Sequence, residues 1–299
     1  MPKKSPVRFS SGDFLLLVVA AFWGATYLVT KDLSNAGDIG GLLAIRFTIG
    51  AAALWIYALF FKKDKLNKTE LILGVCFGLS QTFVLNLEAQ SVHYTSATNG
   101  GLIIGVSIIT VPILESIWRK NWLPKSFFVA TLIALIGLFL LVVGNGFVQP
   151  NIGDLFMFIA MVIRTFHFVI LGHQLQGKNV SPVNLTTIIV STSGVIMLAL
   201  NPTATITTAM NYSSTNWLQM LFLALLCTSF AFIGMNWAVK NTSASRASLL
   251  LGTEPIWSTI LAATIGGELM GPAGIVGALL IIGATYWGQA IESKHRLQA

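Results

Sequence analysis

Residues 132–143 read Leu-Ile-Ala-Leu-Ile-Gly-Leu-Phe-Leu-Leu-Val-Val, with no polar side chain and no alternation of apolar and polar positions. A strand of a membrane β-barrel would alternate in this way over about ten residues. Because every backbone polar group needs a partner within lipid, only a helix remains for such a stretch. The segment is therefore predicted to be a membrane helix.

Runs of the same kind recur along the whole chain of 299 residues. A membrane helix needs about 20 predominantly apolar residues. Ten runs come close to or exceed this length: 13–31, 39–61, 71–92, 97–118, 125–147, 154–175, 183–200, 217–239, 244–266 and 272–292. We therefore predict an all-α integral membrane protein with ten transmembrane helices, and we predict that residues 201–216, rich in Thr, Asn and Ser, form its longest loop.

The composition agrees with a protein solvated largely by lipid. Only 10% of residues are charged, 55% are hydrophobic and the mean hydropathy is +0.77, whereas soluble domains carry about 25% charged residues. The net charge of +7 resides mainly in short loops between apolar runs, so no nucleic-acid partner is expected. Cys76 and Cys227 lie inside apolar runs without metal-ligand spacing, so we predict buried core thiols, no metal and no cofactor.

Basic residues indicate the orientation in the membrane. If the N-terminus is cytoplasmic, 15 of the 18 Lys and Arg residues fall on the cytoplasmic side and only Lys31 falls outside. The other two, Arg46 and Arg164, lie within apolar runs. We predict a multi-pass protein of the cell (inner or plasma) membrane with both termini in the cytoplasm, and the first run is expected to be a retained anchor, not a cleaved signal.

The chain contains an internal repeat. Each half opens with a Gly-Asp pair and places a proline in its fourth run: Gly12-Asp13 and Pro112 in the first half, Gly153-Asp154 and Pro255 in the second. We predict two five-helix repeats, residues 1–148 and 149–299. Because five is odd, the repeats enter the membrane from opposite sides, as in secondary transporters whose substrate sites lie between inverted repeats.

Several short motifs are similar to those of a known family. They are Trp23-Gly24-Ala25-Thr26-Tyr27, Arg46-Phe47, Tyr94-Thr95-Ser96-Ala97 leading to Pro112, and Ala244–Pro255 leading to Gly267-Glu268. In order and spacing they resemble the EamA-type drug/metabolite transporter family over nearly the whole chain. The resemblance implies ten helices, cytoplasmic termini and a carrier that exports amino acids or other metabolites. Arg164 departs from the family, which often has Trp at this equivalent of Trp23.

Ionisable side chains within a membrane helix are costly, so they are expected to pair or to function. They are Arg46, Glu88, Glu115, Arg164, His167 and Glu254. Arg164 lies near the middle of its run, where its planar guanidinium is suited to a substrate carboxylate. A structural ion pair with Glu254 is the alternative.

The other ionisable candidates also have two interpretations. Glu254 precedes Pro255 and is a candidate for binding a substrate ammonium or a coupling proton, or for a structural hinge. His167 is a candidate proton acceptor or a hydrogen-bonded helix contact. Glu88 and Glu115 lie nearer the ends of their runs and are interpreted as solvated or paired. Arg46 is interpreted as snorkelling or structurally paired, with gating as its alternative.

Neutral polar and aromatic residues complete the predicted substrate site. Gln81 and Thr228, with Ser229 beside it, are candidates for hydrogen bonds to substrate or between helices. Trp23 and Trp257 are candidates for apolar walls of a pocket or for core packing. Two Gly-x-x-x-Gly pairs, at 74/78 and 101/105, predict close helix packing within one protomer.

The leading hypothesis is a secondary transporter that works by alternating access and exports amino acids or related small metabolites. Its partners would be a small-molecule substrate, a coupling proton and the lipid bilayer, with the protein a monomer or a homodimer. Another metabolite or a drug-like compound is the alternative substrate. A channel or an intramembrane enzyme is less favoured, and we predict no enzymatic activity, because no P-loop, Gly-x-Ser-x-Gly or His-Glu-x-x-His motif occurs.

Overall fold

The computed structural model describes residues 10–61, 66–94, 103–143, 151–176, 179–265 and 271–298, and regular structure in these ranges is helical, with no strand. The described helices are α1 Ser11–Ala36, α2 Ile39–Phe61, α3 Lys68–Tyr94, α4 Ser107–Arg119, α5 Lys125–Val143, α6 Ile152–Leu175, α7 Pro182–Leu200, α8 Pro202–Asn211, α9 Ser214–Asn241, α10 Ala244–Leu251, α11 Glu254–Thr264 and α12 Pro272–Gln298. The predicted all-α class is confirmed.

Seven of these helices are long and apolar enough to cross a membrane: α1, α2, α3, α6, α7, α9 and α12. The other three predicted runs correspond to shorter helices. Run 97–118 contains α4, run 125–147 contains α5, and run 244–266 is divided into α10 and α11. The protein is thus a multi-pass membrane protein.

The prediction of a loop at 201–216 is wrong for most of that segment, because residues 202–211 form α8. Pro202 stands at the first helical position, where its missing N–H removes no bond. Thr205 donates from its hydroxyl to the Asn201 carbonyl at 2.6 Å, so its polar group is satisfied inside the helix. The helix lies against α2, where a Cβ on Gly41 would come within 2.4 Å of the Ala204 carbonyl. Packing therefore overrides the polar composition.

Three prolines mark helix starts, where a missing N–H removes no hydrogen bond. Pro182 and Pro272 are the first residues of α7 and α12, and Pro124 directly precedes α5. The starts of the two halves share a further feature, which is a capping box with Asp as its third helical residue. Asp13 accepts from the backbone N–H of Ser10 at 2.7 Å, and Asp154 accepts from that of Asn151 at 2.6 Å. The Gly-Asp pairs thus have a structural role as helix starts.

Close packing at the first Gly-x-x-x-Gly pair is confirmed. A Cβ on Gly74 would lie 2.5 Å from the Ile188 side chain, and one on Gly78 would lie 2.5 Å from Thr192, so α3 and α7 touch along this seam. In the second pair, a Cβ on Gly105 would lie still closer to the Leu138 side chain, and position 101 lies outside the described residues.

The prediction of core thiols is confirmed for Cys227, which is buried, and wrong for Cys76, which is exposed. Cys76 is two residues beyond Gly74 and so about 200° round the helix from the α3–α7 seam. It faces away from that seam, where an apolar thiol carries little cost in lipid.

Helices of the first half pack mainly on helices of the second half. The second helices of the two halves, α2 and α7, pack together, and so do the last, α5 and α12. In addition α3 packs on α6, and α1 packs on α9 and α11. The interior therefore lies between the halves and receives side chains from both.

Candidate functional site

The break between α10 and α11 positions the first residue of the candidate site. Pro255 has no N–H to donate to the carbonyl one turn earlier, so the helix does not continue through it. Thr253 donates its hydroxyl to the Leu250 carbonyl at 2.8 Å and so satisfies one carbonyl at the break. Glu254, the first residue of α11, is buried there, and a carboxylate is favourable at a helix N-terminus.

The two matched prolines differ in structure. Pro112 lies inside the continuous helix α4. The hinge predicted as one role of Glu254-Pro255 corresponds to the break between α10 and α11.

Arg164 lies between two carboxylates from different helices. Its Nη1 is 3.3 Å from Glu88 Oε1 on α3, and its Nη2 is 3.9 Å from Glu254 Oε2 on α11. The side chains of Arg164 and Glu88 are about a quarter exposed (25% and 24%), whereas that of Glu254 is 11% exposed. The predicted ion pair with Glu254 is present, and Glu88 makes the shorter contact.

Trp23 on α1 forms one wall of this cluster. The Arg164 guanidinium carbon lies 5.5 Å from the centroid of the Trp23 ring, a cation–π distance. The indole N–H donates to the Cys227 carbonyl on α9 at 3.0 Å. Trp23 is the thirteenth of the 26 residues of α1, and Arg164 is the thirteenth of the 24 residues of α6. The contact is therefore made halfway along both helices.

The acceptor for Trp23 belongs to a π-helical segment, Phe222–Phe230, in the middle of α9. Here the hydroxyls of Thr228 and Ser229 donate to carbonyls five residues back, at 2.9 and 3.0 Å. Such segments are frequent at functional sites, because their wider turn releases backbone groups. The Cys227 carbonyl is used in this way by two side chains, one of which is Trp23.

The second side chain that donates to the Cys227 carbonyl is that of Arg46 on α2, which is buried. Its Nη2 lies 3.5 Å from the Cys227 carbonyl, and its Nε donates to the Thr228 hydroxyl at 2.7 Å. Arg46 is also within electrostatic range of Glu88. We call Trp23, Arg46, Glu88, Arg164 and Glu254 the central cluster. The predicted site residue Thr228 is joined to it through Arg46.

The remaining predicted site residues are His167, Gln81 and Trp257. His167 is buried, with Nδ1 3.0 Å from the Ser80 hydroxyl and its ring centroid 4.9 Å from that of Phe77. Gln81 is half-buried on α3 and has no hydrogen-bond partner among the described residues. Trp257 on α11 is 36% exposed.

A second charged cluster lies where α1 and α10 begin and where α4 and α12 end. Arg246 makes two bonds to Asp13, at 2.6 and 2.7 Å, and one to Glu292 at 3.2 Å, and all three residues are buried. Ser243, the N-cap of α10, donates to Glu292 at 2.6 Å. We call Asp13, Ser243, Arg246 and Glu292 the Arg246 network.

Glu115 lies beside the Arg246 network and is paired, as one of its two interpretations predicted. It accepts from the backbone N–H groups of Ala244 and Ser245 at 3.3 and 2.7 Å and pairs with Arg119 at 3.0 Å. A carboxylate thus caps the N-terminus of α10. Glu115 therefore belongs to this end of the bundle and not to the central cluster.

Sequence reasoning missed two members of the central cluster. Glu88 is paired, as one of its two interpretations predicted, but its partner Arg164, 76 positions away, was not predicted. Arg46 was assigned a peripheral or structural role, but it shares an acceptor with Trp23. The available signal was the short list of charged residues in apolar runs, although their pairing was not visible in it. No group of three His, Cys, Asp or Glu able to hold a metal occurs in the described part of the chain.

The fold and the central cluster define a membrane protein with a charged, partly exposed interior. Comparison with known proteins gives its family. The model of the EamA-like transporter family matches residues 10–143 and 151–287. The chain belongs to the EamA-like transporter family.

Individual relatives agree with this assignment. An uncharacterized transporter of Archaeoglobus fulgidus is 26% identical over 271 residues, which cover 90% of this chain and 83% of the relative. The uncharacterized transporter YyaM of Bacillus subtilis is 26% identical over 284 residues, or 90% of each chain. A crystal structure with a TM-score of 0.75 covers 98% of this chain and 100% of its own at 17% identity, so it shares the fold.

Proposed function

We propose that this transporter is a secondary carrier of small zwitterions, amino acids first among them, and that it exports them by alternating access. The observation that carries the proposal is the cluster in which Arg164 faces Glu88 and Glu254, because it offers both charge signs in a partly exposed interior. A substrate ammonium can replace the guanidinium at a carboxylate, so binding need not leave a charge unpaired. Another metabolite or a drug-like compound is the alternative cargo.

The proposal includes ten membrane crossings and two inverted repeats, residues 1–148 and 149–299. Three observations support it. Seven span-length helices and three shorter helical runs match the ten predicted runs in order. The first helix of each half packs on the third helix of the other half, α1 on α9 and α6 on α3. Both halves also start with a capping box. The family model also matches the chain twice, once per half.

In this mechanism the two halves rock about the central cluster, and each tilt exposes it to one side of the membrane. The Arg246 network would close one end of the bundle, since it ties together helix ends from both halves. We propose that this end and both termini are cytoplasmic, in the inner or plasma membrane, and the distribution of basic residues supports this orientation. A proton is the proposed coupling ion, carried by a carboxylate of the central cluster, and the carrier is a monomer or a homodimer.

Transport by purified protein in proteoliposomes tests the function. We expect uptake of at least one amino acid from a panel, faster with a pH gradient than without. The matched variant Arg164→Gln should reduce uptake while the yield of folded protein is followed separately. Absence of uptake for every amino acid would reject the zwitterion, and currents far above carrier rates would indicate a channel.

The side of each terminus is tested separately by labelling Met1 and Ala299 in sealed vesicles of known orientation. Both ends should react from the cytoplasmic face. Reaction from opposite faces would contradict an even number of crossings and with it the inverted repeat.

A further inference from the structure

The two guanidiniums of the central region differ in the groups that surround them. Arg164 faces two carboxylates. Arg46 donates to a hydroxyl and a backbone carbonyl, and no carboxylate among the described residues lies at ion-pair distance from it. Arg164 therefore faces two carboxylates directly, whereas the described hydrogen bonds of Arg46 go to neutral acceptors and its interaction with Glu88 is a longer-range one.

This difference decides where an anionic group binds. A carboxylate approaching Arg164 would meet two carboxylates already beside it, and like charges repel. Arg46 is buried, and a buried ion is costly unless it is paired. Its guanidinium has five N–H donors, of which the described bonds use two, so donors remain for a ligand.

Arg46 also belongs to the same cluster as the carboxylates. The Cys227 carbonyl accepts from Arg46 and from Trp23, and the Trp23 ring faces Arg164. Glu88 lies within electrostatic range of both arginines. An anion at Arg46 and a cation at Glu88 or Glu254 would thus be held by one connected group of side chains.

We propose that Arg46 is the binding residue for the anionic group of the substrate, a carboxylate, and that Arg164 acts instead as the exchangeable partner of Glu88 and Glu254. This assignment rests on the proposed zwitterion carrier and reverses the role that the sequence predicts for Arg164. The π-helical segment of α9 orients the guanidinium by accepting at Thr228 and Cys227, and the substrate reaches Arg46 when the bundle opens.

The test compares each amino acid with its own carboxamide, which keeps the ammonium and loses the negative charge. Binding is measured as thermal stabilisation of the purified full-length protein at about pH 6, where both compounds carry the ammonium. For the wild type we expect the best-bound amino acid to bind at least about tenfold more tightly than its amide, equivalent to about 1.4 kcal/mol. In Arg46→Gln this ratio should fall to about one, because the charged donor is gone.

Arg164→Gln is the matched control, since it removes a guanidinium from the same cluster. It should weaken binding of acid and amide together and keep their ratio. Arg46→Lys keeps the charge without the fork and should retain a reduced preference for the acid. If Arg46→Gln does not fold, the acid-to-amide affinity ratio of Arg46→Lys tests the assignment instead.

Three outcomes overturn the assignment: no preference for the acid in the wild type, an unchanged ratio in Arg46→Gln or in Arg46→Lys, or loss of the ratio in Arg164→Gln. These differ from failure of the proposed function. If amino acids are transported but the acid-to-amide affinity ratio is the same with and without Arg46, the proposed carrier function is supported and the assignment of Arg46 is wrong. If amino acids stabilise the protein in a way that depends on Arg46 but none of them crosses the membrane, the anion site is supported and the proposed transport of zwitterions is wrong.

Discussion

Arg164 shows how one side chain can link three helices. Its guanidinium presents two edges, so it can face Glu88 on α3 and Glu254 on α11 at the same time, and its flat side lies towards Trp23 on α1. A lysine could not do this, because an ammonium is a point charge without a fork or a stacking face. Arg164 is therefore the residue on which the central cluster depends.

Removing that guanidinium should leave two carboxylates facing each other. We expect Arg164→Gln to lower the free energy of unfolding by about 1–3 kcal/mol, less than the about 3–5 kcal/mol of a fully buried broken pair, because two of the side chains are a quarter exposed. The double variant Arg164→Gln/Glu88→Gln should recover part of this loss, since one negative charge is then absent. Thermal unfolding in detergent measures both.

The single variant Glu88→Gln is the control for this comparison, because it still leaves Arg164 with Glu254. It should be closer to the wild type than Arg164→Gln is. Strictly additive losses in the double variant would contradict a direct interaction between Glu88 and Arg164.

At the scale of the elements, α1 and α11 pack closely because α1 has a glycine, Gly24, at their contact. A Cβ on Gly24 would lie 2.8 Å from the Glu254 carbonyl, the Ser258 nitrogen and the Trp257 Cβ, and two of these are backbone atoms that cannot rotate away. Gly24 is therefore what lets α1 bring Trp23 beside the break that carries Glu254. Trp257 contributes its Cβ to this contact, and its role as a pocket wall stays a prediction.

Gly24→Ala should force α1 and α11 apart. We expect a loss of about 1–3 kcal/mol in the free energy of unfolding, typical of overpacking, and a fall in transport, because Glu254 moves relative to Arg164. Gly283→Ala on α12 is the matched control, since a Cβ there meets no atom within 4 Å. Equal stability of both variants would show that the close approach is not required.

The elements also show what a single sequence can reveal. Prolines 124, 182 and 272 and the two Gly-Asp pairs act locally, so the helix starts they mark were predictable. The break before Pro255 was foreseen as a kink for the same reason. In contrast α8 forms because of its contact with α2, and the π-helical segment depends on hydroxyls that bond within the helix.

The membership of the site was harder to predict than its helices. Glu88 and Arg164 are 76 positions apart, and Arg46 and Thr228 are 182 apart. Charge in an apolar run indicates that a partner or a function is needed, but only the packing of helices from both halves decides which groups meet. That is why Arg164, Glu254, Trp23 and Thr228 were found as site candidates, whereas Glu88 and Arg46 were expected to be paired or solvated without a named partner.

At the scale of the whole molecule, the two charged clusters have different proposed roles: the central cluster binds substrate, and the Arg246 network closes one end of the bundle. The central cluster is partly exposed and holds its pairs at 3.3 and 3.9 Å, whereas the Arg246 network is buried and holds Asp13 at 2.6 and 2.7 Å. Shorter bonds between charged groups are stronger. A carrier needs a site that yields to substrate and an end that stays closed until the substrate is bound, and the two clusters match these demands.

Weakening the Arg246 network should therefore open the end at which α1 begins. In Asp13→Asn, Arg246 loses its bidentate partner and keeps Glu292. Ser248 on α10 is buried, so Ser248→Cys, made after replacing Cys76 and Cys227, reports on opening through its reaction with a membrane-impermeant maleimide.

We expect Asp13→Asn to raise the labelling rate at position 248 about tenfold, the effect of about 1.4 kcal/mol, and only from the face that holds Ser10. Asn121→Cys, which is exposed at the same end, should react equally with and without Asp13→Asn. The bidentate contact joins the first helix of one half to the fourth run of the other, so breaking it frees the halves to rock. An unchanged rate at position 248, with the control labelled normally, would mean that apolar packing alone closes this end.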